Sequence, residues 1–226
     1  MPGPVEEYAP GNSPPAIVED WGFLGHLTVV QAERLKEFRE VLQSNSMTRD
    51  NLGKASDKHL LRFMRAREFN IKKAMKMVIE DVEWRREIAG RKMSLSSFPK
   101  VAEFVQNGLV RLIGKDKDGR ALLVVRPAAL FPRKVPDMME FVNFFIFYVE
   151  SLVKYVDSLG FTEFTAIGDM KGWSLSENFS LPVSQLLAQI LQDHFPECLR
   201  YAFIINNPFA FSAAWSLISP FLEVSC

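Results

Sequence analysis

Short apolar segments that alternate with helical segments occupy the second half of the chain, and this alternation constrains the fold more than any other feature. Segments 121–125, 164–170 and 201–206 are expected to be strands, because each is a short run dominated by apolar residues. Helices are expected over roughly 136–158 and 181–194, between successive strands. Strands joined by helices pair in parallel through crossovers. The sequence therefore predicts an α/β fold with a mostly parallel sheet.

A hairpin is expected where this sheet begins. Segments 109–113 and 121–125 flank a polar loop, and Asp118-Gly119 within that loop is a strong turn signal. The parallel strands are therefore expected to follow a hairpin.

The first half of the chain has a helical pattern. Apolar residues recur at helical spacing over 28–43, 56–66 and 70–92, and Ser56 and Asn70 are placed to cap the second and third helices. Residues 1–27 are rich in Pro and Gly, which predicts a loosely ordered N-terminus. The predicted organisation is a loose segment at 1–27, a helical part at 28–92 and a sheet-containing domain at 93–226.

The last helical segment is strongly apolar. It begins with Asn207-Pro208, a capping residue followed by Pro at a position that needs no backbone donor. The strand before it, 201–206, is expected to be buried. The apolar face of the helix comprises Phe211, Ala214, Trp215, Ile218 and Leu222. Because the sequence stops four residues after Leu222, we expect a helix that still requires an apolar partner.

A second helix, around 138–148, is apolar on nearly all sides. Such a helix is buried on both sides or lines an apolar space. A thick core and a cavity for an apolar ligand are therefore both open interpretations. Polar residues at Glu140, Asn143 and Glu150 interrupt the stretch too often for a membrane span.

The charges of the chain balance, but their distribution does not. Formal net charge is zero, which gives no reason to expect a nucleic-acid partner. Between Lys54 and Lys92, however, twelve Lys and Arg stand against six Asp and Glu, a net of +6. Such a region can face an anionic membrane, or it can be a solvated helical surface with internal ion pairs.

Neither the cysteines nor the known catalytic motifs point to an enzyme. Cys198 and Cys226 are too few for a disulfide scaffold, and the Pro-rich, acidic N-terminal segment lacks the pattern of a signal peptide. We therefore expect a cytoplasmic protein. The His and Cys residues lack metal-ligand spacing, and no phosphate-binding Gly-rich motif is present. Ser174 lies in a partial nucleophile elbow without its second Gly. We therefore expect no catalytic residue, no cofactor and no metal.

Several ordered motifs resemble those of the CRAL-TRIO lipid-transfer family, which includes phosphatidylinositol- and tocopherol-transfer proteins. The helical part contains Leu-Leu-Arg-Phe-Met-Arg-Ala-Arg-Glu-Phe at 60–69 and Glu-Trp-Arg-Arg at 83–86. The second part contains Asp-Lys-Asp-Gly-Arg at 116–120, Asp-Met-Lys-Gly at 169–172, Phe-Pro-Glu at 195–197, Ile-Ile-Asn-Asn-Pro at 204–208 and Ser-Pro-Phe-Leu at 219–222. The resemblance extends from about residue 28 to residue 222.

The resemblance implies a protein that binds one hydrophobic lipid, a phospholipid or another apolar lipid, and transfers it between membranes. The lipid would lie in a closed cavity between a sheet and helices, with the segment 208–222 as a movable gate. Its partners would be the lipid and, transiently, a membrane surface. The expected lipid-binding residues are Arg67, Glu197, Phe164, Ala166, Phe144, Tyr148, Phe211, Trp215 and Ile218. The alternative is a membrane-recruiting or regulatory interaction module without transfer activity.

Departures from the family pattern favour a ligand less polar than a phosphoinositide. Glu68 stands where phosphoinositide-binding members carry a basic residue, and Cys198 stands where an Arg is usual. Phe164 and Ala166 replace hydroxyl residues, whereas a phosphate or inositol requires several charge-assisted donors. Arg67 and Glu197 match the headgroup set, although a structural ion pair is equally open.

The family pattern continues beyond the gate with a further strand that this sequence lacks. We therefore expect a C-terminally shortened domain whose last strand is missing. Its sheet edge would be open, and self-association through the C-terminal helix would follow.

Overall fold

The computed structural model describes residues 21–52, 55–89, 93–135 and 137–219. The chain forms two compact units, divided between residues 90 and 91. The first is helical, and the second contains a four-stranded sheet with helices. This arrangement confirms the predicted α/β fold class with N-terminal helices and a mostly parallel sheet. Within the described residues, no helix is both long and apolar enough to cross a bilayer.

Three helices build the helical unit: α1 (Val29–Ser44), α2 (Asp57–Arg65) and α3 (Ile71–Ala89). Their apolar stripes meet in one core that includes the fully buried Phe38, Leu61 and Val78. The bounds agree with the predicted helices to within a few residues. Helical spacing of apolar residues was sufficient to find them, because each helix buries one stripe against the other two.

Side-chain caps explain where these helices begin. Thr28 and Gln31 form a capping box at α1, in which each side chain bonds the backbone N–H of the other at 3.2 and 2.9 Å. The Ser56 hydroxyl accepts from the N–H of His59 at 3.3 Å, and Asn70 Oδ1 accepts from the N–H of Lys73 at 3.0 Å. The predicted caps at Ser56 and Asn70 are therefore present.

The segment just before α1 packs on the helical unit. The Trp21 ring meets Phe69 edge-on at 5.3 Å, and the Arg65 guanidinium lies 3.8 Å from the centre of the Phe23 ring. Part of the N-terminal segment expected to be loose is thus held by aromatic contacts. Residues 1–20 lie outside the described residues.

The second unit begins with the hairpin. After a 3₁₀ turn at Leu95–Ser97 come α4 (Pro99–Gln106), β1 (Val110–Lys115) and β2 (Ala121–Val125). Two further 3₁₀ turns, Pro127–Ala129 and Pro132–Lys134, lead into α5 (Met138–Ser158). The remaining elements are β3 (Phe164–Asp169), α6 (Leu175–Asn178), α7 (Leu181–His194), β4 (Leu199–Ile205) and α8 (Ala210–Ile218).

The sheet has the order β1-β2-β3-β4. The hairpin pair β1–β2 is antiparallel, while β2–β3 and β3–β4 are parallel. The crossovers through α5 and α7 run in the same direction across the sheet, and right-handed connections place both helices on one face. Contacts between α5 and α7 agree with this placement.

A polar network ties the hairpin loop to β3. Asp116 Oδ2 accepts from the Thr165 hydroxyl at 2.7 Å, and Oδ1 accepts from the N–H groups of Asp118 and Arg120 at 3.0 and 2.8 Å. Burial alone would raise the pKa of Asp116, but these hydrogen bonds and the Arg120 charge bring it below its usual value. The loop is thereby fixed against the parallel strands.

Three local expectations differ from the structure. The strand β4 was expected to be buried, but it lies at the sheet edge and Phe203 is 53% exposed. The last helix was expected to begin at Asn207-Pro208, but α8 begins at Ala210, and no side chain caps it. The helix α4 was not anticipated, because its capping acceptor is Glu140 Oε1, which receives the N–H groups of Lys100 and Val101 from a distant part of the chain.

We predict that His59 makes the helical unit sensitive to acid. Burial, then the charges of Arg62 and Arg85, lower the pKa of His59 to about 4, against the opposing effect of Asp81. Between about pH 6.5 and pH 4, His59 is protonated in the unfolded chain but stays neutral in the folded chain. The free energy of unfolding should therefore fall by about 2 kcal/mol between pH 7 and pH 5, with the remaining loss complete below about pH 4.

Urea titrations followed by circular dichroism at the two pH values measure this loss. His59→Gln should lose about 2 kcal/mol less than the unmodified chain, whereas His26→Gln, at an exposed site before α1, should lose as much as the unmodified chain. Equal acid sensitivity in the His59 variant would contradict the prediction.

Candidate functional site

One face of the sheet carries small side chains on its two last strands. Residues paired across neighbouring strands share a face, and the register aligns Leu123 with Ala166 and Ala202. The next row on the same face contains Val125, Gly168 and Ile204. A Cβ added to Gly168 would lie 2.9 Å from Ile204 Cδ1, so the surface is already filled there. The short side chains of Ala166 and Ala202 therefore leave the most space above this face of the sheet.

Phe164 and Ala166, two expected ligand-contacting residues, both belong to this face, since they are two positions apart on β3. Phe164 is buried and Ala166 is partly buried. The face thus presents apolar groups at both positions where hydroxyl groups would have supported a polar headgroup.

An aromatic cluster on α5 lies over the same face. Phe144 and Tyr148, two other expected residues, have ring centres 5.8 Å apart, and Phe98 lies 5.9 Å from Phe144. Val110, which pairs with Val125 in the row described above, packs against this cluster. Burial raises the pKa of Tyr148, so its phenol stays neutral across the physiological range. The structure therefore brings four of the expected residues to one side of the sheet.

A second aromatic cluster holds α8. Trp173 is buried, and its ring lies 6.2 Å from Phe179 and 6.2 Å from Phe211, while Phe211 stacks on Trp215 at 6.0 Å. Ala214 is the only residue of α8 that is buried. The expected residues Phe211, Trp215 and Ile218 thus lie on a helix attached through few buried groups.

Much of α8 and its surroundings is apolar and exposed. Trp215 is 43% exposed, Leu217 is 49% exposed, and Phe209 just before the helix is 96% exposed. Ala202 and Ile204 on β4 are exposed as well. Several large exposed apolar side chains on one element, as on α8, are typical of a site of contact with an apolar partner.

Polar groups gather where β3 and β4 end. Asp169 Oδ1 accepts from Asn206 Nδ2 at 2.9 Å and from the N–H of Lys171 at 3.1 Å, and Arg126 Nε lies 3.4 Å from Asp169 Oδ2. The Asn206 amide, then the Lys171 N–H, keep the pKa of Asp169 below its usual value. Asn206 has a left-handed backbone with φ of 53°. These groups fix the turn that leads into α8.

Arg67 and Glu197 belong to different units. Arg67 lies in the turn after α2, where its Nη1 donates to the carbonyl of Ala66 at 2.7 Å. Glu197 lies in the turn between α7 and β4, with a left-handed φ of 55°, and is partly buried. Their expected headgroup role remains a prediction.

The sequence reasoning did not single out Gly168 or Ala202, because only the strand register shows that they share a face with Ala166. The apolar face expected for the last helix included Leu222, which lies outside the described residues. Across the described residues, no three His, Cys, Asp or Glu side chains gather in a way that could hold a metal ion.

Comparison with known proteins agrees with the motifs. The family model described as the CRAL/TRIO domain matches residues 105–225, and the model for the CRAL/TRIO N-terminal domain matches residues 34–80. A SEC14 cytosolic factor of Eremothecium gossypii is 31% identical over 219 residues, covering 89% of this chain and 68% of that protein. A CRAL-TRIO domain-containing protein of Saccharomyces cerevisiae is 28% identical and covers 89% of this chain and 70% of its own length.

Two further proteins are similar to this chain at lower sequence identity. Patellin-6 of Arabidopsis thaliana is 25% identical, over 91% of this chain and 54% of its own length. The crystal structure of Sfh5 has the same fold, with a TM-score of 0.64 and 19% identity over 84% of this chain and 77% of that one.

We predict that Trp173 is the main anchor of α8. Trp173→Ala should reduce the free energy of unfolding by about 3–5 kcal/mol, because it empties the centre of a buried aromatic cluster. Hydrogen exchange of the α8 amides should accelerate, since Phe211 loses its ring contact with Trp173, which lies outside the helix. Urea titration and exchange measured by mass spectrometry report the two effects.

Trp215→Ala provides the matched control, since it removes the same ring from a half-exposed position. Its effect on the free energy of unfolding should be well below that of Trp173→Ala. If the two variants lost similar stability, α8 would be anchored elsewhere.

Proposed function

Because the chain belongs to the CRAL-TRIO lipid-transfer family, we propose that it binds a single hydrophobic lipid in the sheet-containing unit and transfers it between membranes. Two observations carry the proposal: the exposed apolar surface of α8, and the sheet face with small apolar residues at Ala166 and Ala202. Each methylene group removed from water contributes about 0.8 kcal/mol. Most of the binding free energy of a lipid would therefore come from removing its acyl chains and these apolar protein surfaces from water.

The sheet face is the proposed floor of the binding site. Ala166 and Ala202 leave room above β3 and β4, and Phe164 supplies an apolar wall. The α5 cluster of Phe144 and Tyr148 would line the opposite wall, since it lies over the same face. Apolar groups at Phe164 and Ala166 favour a lipid with a small or weakly polar headgroup.

The helix α8 is the proposed movable gate. Elements with few buried groups open at low free-energy cost, and Ala214 is its only buried residue. Phe211, Trp215 and Ile218 would contact the lipid when the gate is closed. When the gate is open, the same residues would contact the bilayer or a second copy of the chain.

Transfer of this kind requires no covalent step. A lipid leaves a bilayer slowly because its acyl chains must be exposed to water, and an apolar binding site in the protein would avoid that exposure. The proposed mechanism therefore assigns binding and positioning roles to the site residues and a catalytic role to none. Glu197, in the sheet-containing unit, is the proposed polar contact of a headgroup.

Native mass spectrometry of the freshly purified chain, with lipid extraction in parallel, tests the proposal. We expect one added mass per chain, identified as one lipid class. Ala166→Phe should reduce bound lipid at least tenfold, because the ring would fill the proposed floor. Ala202→Phe should act in the same direction with less effect on folding, since Ala202 is exposed.

Ala32→Phe is the matched control, because it places the same ring on an exposed position of α1. It should leave the bound lipid unchanged. A lipid-free protein that still binds vesicles would instead support the recruiting or regulatory module. A lipid-bound protein unaffected by both sheet variants would place the ligand elsewhere.

A further inference from the structure

The first two turns of α3 carry three exposed lysines. Lys72, Lys73 and Lys76 all face solvent, and the first turn of the helix contains no acidic residue. Lys76 lies 3.7 Å from Glu80. Lys72 and Lys73 make no ion pair with any residue in the described parts of the chain.

This placement is unfavourable for the isolated helix. The N-terminus of a helix carries a partial positive charge, which repels cations. Lys76 is also a helical neighbour of both Lys72 and Lys73, and like charges at those spacings destabilise a helix. Residues that destabilise their own element, and that make no compensating interaction elsewhere in the fold, are found mainly at functional sites. The lysines therefore point to an anionic partner.

An exposed apolar residue lies in the adjoining segment. The loop containing Trp21 and Phe23 packs on Phe69 and Arg65, and so borders the turn that leads into α3. Leu24, in the same loop, is 49% exposed. Leu24, Lys72, Lys73 and Lys76 are here named the basic corner. Basic residues on a surface that also carries an exposed apolar residue suit the boundary between lipid headgroups and acyl chains.

We propose that the basic corner docks the chain on anionic bilayers. The lysines would meet lipid phosphates and carboxylates, and Leu24 would enter the interface. A formal net charge of zero makes general attraction to nucleic acid a weaker explanation. The inference goes beyond the proposed function, since this surface belongs to the helical unit and requires no bound ligand.

Sedimentation with sucrose-loaded vesicles tests the inference on the whole chain. Vesicles of phosphatidylcholine alone are compared with vesicles containing about 30% phosphatidylserine. The unmodified chain should bind the anionic vesicles at least tenfold more tightly. Each lysine near an anionic surface strengthens binding about fivefold. Lys72→Gln/Lys73→Gln should therefore weaken this binding on the order of twentyfold, and binding should fall with added salt.

The matched control is Lys36→Gln/Arg86→Gln, which removes two exposed charges from α1 and from the last turn of α3. Its binding should change by less than about threefold, the effect of altered net charge alone. The melting temperature of Lys72→Gln/Lys73→Gln should equal or exceed that of the unmodified chain, because helix repulsion is relieved. That result separates a docking surface from a structural one.

Equal binding of the unmodified chain to the two kinds of vesicle would overturn the inference. So would equal losses in the two double variants. Binding to a DNA duplex that matches or exceeds binding to anionic vesicles would assign the basic corner to soluble polyanions instead. Because lipid retained by Lys72→Gln/Lys73→Gln can be measured separately by native mass spectrometry, failure of docking and failure of lipid carriage are distinguishable.

Discussion

The pairing of β3 with β2 on one side and β4 on the other is the interaction on which the second unit depends. It places Phe164 and Ala166 on the face that the crossover helices cover, because a parallel register assigns every residue a face. It also brings the ends of β3 and β4 together, so that Asp169 can fix Asn206 and the turn into α8. The Asp116–Thr165 hydrogen bond holds the hairpin loop to the same central strand.

The two units differ in which of their surface features are unfavourable for stability. The helical unit buries its apolar stripes in one core, and the lysines at the start of α3 are electrostatically unfavourable for that helix. The sheet-containing unit leaves apolar side chains of β4 and α8 exposed, so these side chains contribute little hydrophobic free energy to folding. In both units the unfavourable surface is the one for which we propose a partner, a bilayer surface for the helical unit and a lipid for the sheet-containing unit.

The candidate site was accessible to sequence reasoning only in part. The apolar helix of Phe144 and Tyr148 and the apolar positions of Phe164 and Ala166 could be named, since composition and family motifs mark them. That these residues share one side of the sheet follows only from the register and from the contact of Val110 with the α5 cluster. Ala202 could not be singled out, because an alanine on a strand carries no signal of its own until its neighbours across the sheet are known.

The sequence by itself determined the helices of the first unit, the hairpin, the order of strands and helices and the family, because periodicity, turn residues and motifs are local properties of the chain. The tertiary structure decided the features that depend on partners distant in the sequence. Helix α4 begins where Glu140 reaches its N-terminus, and β4 becomes an exposed edge because β3 is its only strand neighbour in the described sheet. From the sequence alone, the apolar segment of β4 is predicted to be buried. Hydrophobicity shows that a strand can be buried, but only the tertiary structure shows whether other elements cover it.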